Sequence, residues 1–252
     1  MMLYQYRGCV SSDDGFKYLS NLIANGEMKF SKSTEFNDPF DCCPSQLHEM
    51  PEGAIPNAVG DEINKSLQSI RSVIYGVACF TPRNNSMLMW SHYGDQHKGI
   101  CVGFDHELLE GSPPRNSLGH PLYKKISQIN YTNTRPNSKS ADLLTQKSLE
   151  WAYEQEHRII SEMSAGTPSW GPGIWSIPKA AIKEIIFGAR SSAETREKIS
   201  SLIRLIAPEI QIKIAVPHIH SFELLIEDFD SQPKFPPSVG YVSGPDGKWH
   251  HT

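Results

Sequence analysis

No stretch of about 18 consecutive apolar residues occurs anywhere in the 252-residue chain. Nor do Met1 to Val10 hold an apolar run of signal-peptide length. The expectation is a protein that stays in the cytoplasm and has no membrane partner. Paired cysteine spacings are missing too. The five cysteines, Cys9, Cys42, Cys43, Cys79 and Cys101, are odd in number, and Cys79 and Cys101 sit in apolar, strand-like runs. That pattern excludes a disulfide framework and predicts five free thiols. There is no internal repeat and no glycine fingerprint for phosphate: Gly171-Pro172-Gly173 is interrupted by proline and followed by strand-like residues. With a net charge of −4, the chain as a whole exerts no pull on nucleic acid. Apolar residues at 38 % and charged residues at 21 % exclude a disordered chain, and the length suffices for a core without staples.

The patterning that is present mixes periods. Leu3-Tyr4-Gln5-Tyr6 alternates as a strand does. Ser12 or Asp13 can cap a helix with Phe16, Leu19, Leu22 and Ile23 on its core face, and Asn25-Gly26 ends it. Strands are expected at 28–31, 73–80, 99–104, 157–163, 175–177, 184–187, 210–216 and 222–226. Helices are expected at 58–71, 86–93, 140–154 and 193–206. Without strict β-α-β alternation, this is an α+β fold: a central mixed or antiparallel, possibly split, sheet flanked by helices. Residues 1–230 are read as a single α+β domain and 231–252 as a Pro/Gly-rich tail forming an extended or loosely docked arm.

Three polar–aromatic clusters stand out. Phe36-Asn37-Asp38-Pro39-Phe40-Asp41 is a turn sequence that presents Asn37, Asp38 and Asp41 at a strand end. The segment Met89 to Gly99 holds Trp90, His92, Tyr93, Asp95 and His97. Its spacing is not H-E-x-x-H, so no metal is expected, and a Trp90–Tyr93 wall with His92 as donor suits an aromatic ring instead; packing of Trp90 in the core is the structural alternative. Trp151 to Arg158 contains Glu154 and Glu156 two residues apart. Close like charges raise one pKa and suit acid–base work, whereas an ion pair with Arg158 is the structural alternative. A fourth feature is a deficit: residues 111–141 contain no Asp or Glu but hold Arg115, Lys124, Lys125, Arg135 and Lys139. That segment is expected to be an exposed basic surface.

Taken in order, Leu3 to Tyr6, Phe36 to Asp41, Met89 to Gly99, Trp151 to Arg158 and Ile185 to Gly188 resemble the pattern of a bacterial family known as a domain of unknown function, number 2971. The family name brings no activity with it. A fainter resemblance is to ADP-ribosyltransferases, which implies a split-sheet fold with NAD as substrate and a catalytic Glu in a Glu-x-Glu motif. On that resemblance Glu156 is catalytic, with Glu154 and His92 beside it. Gln5 or Arg7, Ser31, Asn37, Asp38, Asp41, Trp90, Tyr93 and Arg158 would bind the nucleotide or dinucleotide. Gln5 stands where those enzymes carry His.

The resulting expectation is an ADP-ribosyltransferase-like or NAD-consuming enzyme, in the manner of a bacterial toxin or phage-defence effector. The alternatives are a nucleic-acid-directed hydrolase or binder that uses residues 111–141, and a non-catalytic sensor or interaction module.

Overall fold

The computed structural model describes residues 1–43, 66, 69–136, 141–163, 170–231, 241–243 and 249–251. The strands in chain order are β1 (Met2–Arg7), β2 (Glu27–Lys32), β3 (Tyr75–Phe80), β4 (Ile100–Asp105), β5 (Ile126–Gln128), β6 (Asn130–Thr132), β7 (Gln146–Ser148), β8 (His157–Glu162), β9 (Gly173–Ser176), β10 (Ile182–Phe187), β11 (Gln211–Pro217), β12 (Leu224–Asp228), β13 (Tyr241–Ser243) and β14 (Trp249–His251). The helices are α1 (Asp13–Asn25), α2 (Met87–Tyr93), α3 (His106–Gly111) and α4 (Ala193–Ile206). The fold is α+β, as the mixed periods predict, and its principal strands form two five-stranded sheets.

The chain divides into two compact units, each built from segments distant in sequence. The first comprises Met1–Glu27, Pro82–Leu109 and Pro178–Thr252; the second comprises Met28–Thr81 and Glu110–Ile177.

In the first unit the sheet order is β1-β4-β10-β11-β12. Only the β10–β11 pair is parallel, and α4 lies between these strands in sequence. Strand β4 is apolar on both faces, with Ile100, Cys101, Val102 and Phe104 fully buried, so it sits mid-sheet. Burying each such Ile or Phe contributes about 1.5–3 kcal/mol. Helix α1 follows its sequence signals closely. Ser12 accepts a hydrogen bond from the Gly15 N–H at 3.1 Å, Leu19, Leu22 and Ile23 are buried, and Gly26 at φ 72° donates to the Leu22 carbonyl.

The second unit's sheet runs β5-β8-β3-β2-β9. Strand β8 lies between β5 and β3, with Arg158 opposite Ser127 on one side and Cys79 on the other. One sequence expectation fails in this unit. Of the helix expected at 140–154, the described residues 141–154 form no continuous helix. Two short 3₁₀ turns, Ala141–Leu144 and Leu149–Glu154, flank strand β7, which pairs with β6 in parallel. The Thr145 N–H turns back to the Asp142 carbonyl, and Gln146–Ser148 is taken up by pairing with β6, which places Lys147 inside the unit. The expected helix at 58–71 lies largely outside the described residues; residues 69–74 are helical. In the tail, β13 and β14 pair antiparallel.

Candidate functional site

The second unit gathers five charged side chains in its interior: Asp41, Lys147, Glu154, Glu156 and Arg158. Arg158 is 0 % exposed, and all five of its N–H donors are used. Nε donates to Glu156 Oε1 at 2.7 Å, and Nη2 to Glu156 Oε2 at 3.0 Å and Asp41 Oδ2 at 2.6 Å. Nη1 donates to Asp41 Oδ1 at 2.9 Å and the Leu144 carbonyl at 3.0 Å. The Phe36 ring lies 5.3 Å from the guanidinium carbon. Lys147 Nζ donates to Glu154 Oε2 at 2.6 Å and Glu156 Oε2 at 3.1 Å, and Asp41 Oδ2 lies 3.6 Å away.

Local backbone explains how the two glutamates meet one lysine. Strand β8 begins at His157, not at Glu154, so strand alternation does not align them. Instead Gln155 takes a left-handed φ of 48° and turns the chain between the second 3₁₀ turn and β8. Both carboxylates then converge on Lys147. Tyr131 fixes the turn further, its hydroxyl accepting from the Glu156 N–H at 2.7 Å.

Burial alone would raise the Glu156 pKa. Arg158 and then Lys147 outweigh burial and bring it down to about 2. Lys147 is pushed well above the ordinary lysine value: burial opposes this, and Glu156, Glu154 and Asp41 overcome it. Burial, followed by the nearby Glu156, raises the Cys79 thiol, and burial raises that of Cys42. Both cysteines are therefore protonated and poorly nucleophilic. All five cysteines are free, as their spacing predicts. Chemically, the cluster is a brace: the Arg158 guanidinium ties the 36–43 loop and the first 3₁₀ turn to β8, and the Lys147 ammonium of β7 adds the second 3₁₀ turn through Glu154 and Glu156. Within it, Glu156 is held as a carboxylate far below neutrality.

The remaining residues singled out in the sequence occupy varied surroundings. Asp38 is buried and uses Oδ1 to accept from the Phe40 N–H at 2.8 Å, a turn-forming role, while Asn37 is exposed. Ser31 lies on β2 opposite Val77. In the first unit, Gln5 accepts from Arg7 at 2.5 Å, and Arg7 lies over the Tyr18 ring. Trp90 is 0 % exposed, donates to the Asn84 carbonyl at 2.9 Å and packs edge-on against Tyr6. It is a core residue and presents no wall to a ligand, which corrects the aromatic-wall expectation. His92 is exposed and Tyr93 half-buried beside it. Among the described residues, no group of three or more His, Cys, Asp or Glu side chains is placed to hold a metal ion.

Two clefts open on single units. In the second unit, a cavity of about 540 Å³ is lined by His120, Tyr123, Lys124, Lys125, Ser127 and Glu162, among others. Lys124 and Lys125 are exposed, as the acid-free segment predicts. The loop before them is ordered: Asn116 Oδ1 accepts from the Leu118 and His120 N–H groups at 3.0 and 2.9 Å, and Arg115 donates to the Gly119 carbonyl at 2.7 Å. In the first unit, a cavity of about 620 Å³ is lined by His97, Arg190, His218 and Phe222 with apolar neighbours. The sequence reading missed Lys147, Arg190, His218 and Phe222. A lone lysine in a helix-like stretch gives no signal of burial, and the other three meet only through sheet topology.

These features define an α+β protein with a buried ionic brace and small open clefts. Residues 89–159 match the model of the family described as a protein of unknown function, DUF2971. The resemblance to that family drawn from the motifs is shown over this stretch, which begins in α2 and ends in β8 and contains Lys147, Glu154, Glu156 and Arg158 of the brace. The match carries no activity and lends no support to the resemblance to ADP-ribosyltransferases. No curated protein and no solved structure matches the chain. No helix among the described residues is long and apolar enough to cross a membrane.

Proposed function

We propose that the protein binds a phosphate-bearing small ligand of the nucleotide or dinucleotide class in the second unit's basic cleft. The observation that carries this reading is the convergence of Lys124, Lys125 and His120 on one cavity of about 540 Å³. That size suits a small ligand better than a polynucleotide. Two exposed ammonium groups outnumber the one carboxylate of the lining, Glu162, and supply the charge a phosphate needs, while Ile160 and Met163 add apolar surface. Burial holds the Tyr123 phenol protonated, so it brings no negative charge to the cleft.

Within this class NAD is the first candidate, on the strength of the Glu154-Gln155-Glu156 resemblance. Bond cleavage is not assigned to Glu156, because both its oxygens are taken by Arg158 and Lys147 and it is closed to solvent. The test is equilibrium binding of NAD and ADP, with nicotinamide release followed by chromatography. Binding that weakens about tenfold or more on Lys124→Glu/Lys125→Glu, and that weakens with salt, supports the reading. Unchanged affinity in that variant removes the cleft from the ligand site. Release of nicotinamide by the wild type would add ADP-ribosyl transfer or NAD hydrolysis to it.

A further inference from the structure

The first unit's cleft is placed by strand register. Phe187 at the end of β10 lies opposite Ile100 at the start of β4 and opposite Ile214 in the middle of β11, which runs three residues further to Pro217. His97, three residues before Ile100, and Arg190, three after Phe187, therefore emerge at the same end of the sheet as the loop that follows β11. This is the carboxyl end of the parallel pair, where α/β crevices collect ligands. The Arg190 N–H donates to the His97 carbonyl at 2.9 Å, which locks the two loops together through backbone. Asp95, Gln96 and His97 all take left-handed φ values of 50°, 54° and 70°, three consecutive non-glycine residues in a costly conformation.

The opposite lip is the loop between β11 and β12, and it is stitched shut. The His218 N–H donates to the Glu223 carbonyl at 2.9 Å. His218 Nδ1 accepts from the N–H groups of His220 and Ser221 at 3.1 and 3.0 Å, and the Ser221 hydroxyl donates to Glu223 Oε2 at 3.0 Å. An Nδ1 that accepts two N–H bonds leaves the ring proton on Nε2. The product of this stitching is a rigid turn that holds Phe222 in water, 95 % exposed. The apolar residues Met87, Ile219 and Leu224 line the same cavity.

Charge narrows the ligand class. Burial, and then Arg190, lowers the His97 pKa, so its ring is neutral near pH 7. Two permanent charges line the cleft, Arg190 and Glu223: the Glu223 carboxylate is engaged by the Ser221 hydroxyl, whereas the exposed Arg190 guanidinium has no ion-pair partner among the described residues and is the group left to meet a ligand anion. We propose that this cleft binds a small monoanionic carboxylate with an aromatic or aliphatic body. The guanidinium of Arg190 takes the carboxylate in its planar fork, and Phe222, Ile219 and Met87 cover the apolar body. The site is separate in chemistry from the phosphate cleft of the second unit, which presents two ammonium groups.

The experiment uses 3-phenylpropionate as probe and 3-phenylpropanol as its uncharged counterpart, titrated into the full chain and followed by calorimetry. The Lys124→Glu/Lys125→Glu variant serves as a second background. The acid should bind the wild type about tenfold or more tightly than the alcohol, as expected for a charge-assisted hydrogen-bonded pair. Arg190→Gln should abolish that preference and Arg190→Lys should restore it in part. Phe222→Ser should weaken acid and alcohol alike. The second background should leave all of this unchanged, because it alters only the other cleft. Equal binding of acid and alcohol, no binding of either at about millimolar concentration, or an acid preference that survives Arg190→Gln would each overturn the proposal. Arg190 is exposed and its fold contact is made by backbone, so the variants should fold; circular dichroism and melting checks this.

Discussion

Arg158 is the residue on which the second unit depends most. Its guanidinium faces the carboxylates of Asp41 and Glu156 in a region with no solvent to take its place. Replacing a buried pair as a whole can be neutral, but removing one partner strands the others and costs about 3–5 kcal/mol. Arg158→Met should therefore destabilise the protein by about that amount in urea denaturation. Glu156→Gln keeps the shape, and its carbonyl oxygen can still accept from Arg158. It also removes one of three carboxylates set against two cations, so it should cost markedly less. Should Glu156→Gln prove the more damaging of the two, the brace is misassigned. If it leaves stability nearly intact but abolishes turnover of NAD by an otherwise active protein, Glu156 has a chemical role that its enclosure in the structure does not suggest.

At the scale of elements, the left-handed run Asp95-Gln96-His97 makes a direct prediction. Gln96 is exposed, so its side chain contributes little packing, and its φ of 54° is a conformation that glycine adopts freely. Gln96→Gly should be neutral or raise stability by up to about 1 kcal/mol, whereas Gln96→Val should lower it, both read from melting temperature. A destabilising glycine would mean that the turn is held by Gln96 itself. This run also marks where sequence reading stops. Strands β1, β4 and β10 were legible because their apolar pattern is a local property, and α1 because Ser12 and Gly26 are local start and stop signals. The 141–154 stretch was not, because β7 exists by pairing with β6 and its Lys147 meets Asp41, more than a hundred residues away, and neither contact leaves a local pattern. The basic cleft was half legible: a missing charge sign is visible in sequence, but the cavity beside it is not. The cleft at Arg190 was not legible at all, since His97, Arg190 and His218 become neighbours only through the pairing of β4, β10 and β11.

At the scale of the whole molecule, the ionic brace lies entirely in one of the two units, and this predicts how acid should act on the chain. The folded-state pKa of Glu156, about 2, lies below the ordinary value of 4.5. A depressed carboxylate contributes stability that is fully present above the unfolded pKa and is lost as pH falls toward the folded one. The window is therefore from about 4.5 down to about 2. The raised pKa of Lys147 works in the other direction: its contribution is complete below the ordinary lysine value and is lost only in strong alkali, so it does not shape the acid limb. As pH falls through this window, protonation of Glu156 removes an anion from between Arg158 and Lys147 and leaves two buried cations facing fewer partners. The loss should appear first in β8, which carries Arg158, and in β3, which pairs with it. Pulse-labelled hydrogen exchange after incubation at about pH 3 should show β8 and β3 amides losing protection before those of β4 and β10, which belong to the other unit. In Glu156→Gln the loss of protection in β8 should become shallower with pH, because the group that titrates is gone. An unchanged acid profile in that variant, or earlier loss in β4 and β10, would place the acid-sensitive element elsewhere in the chain.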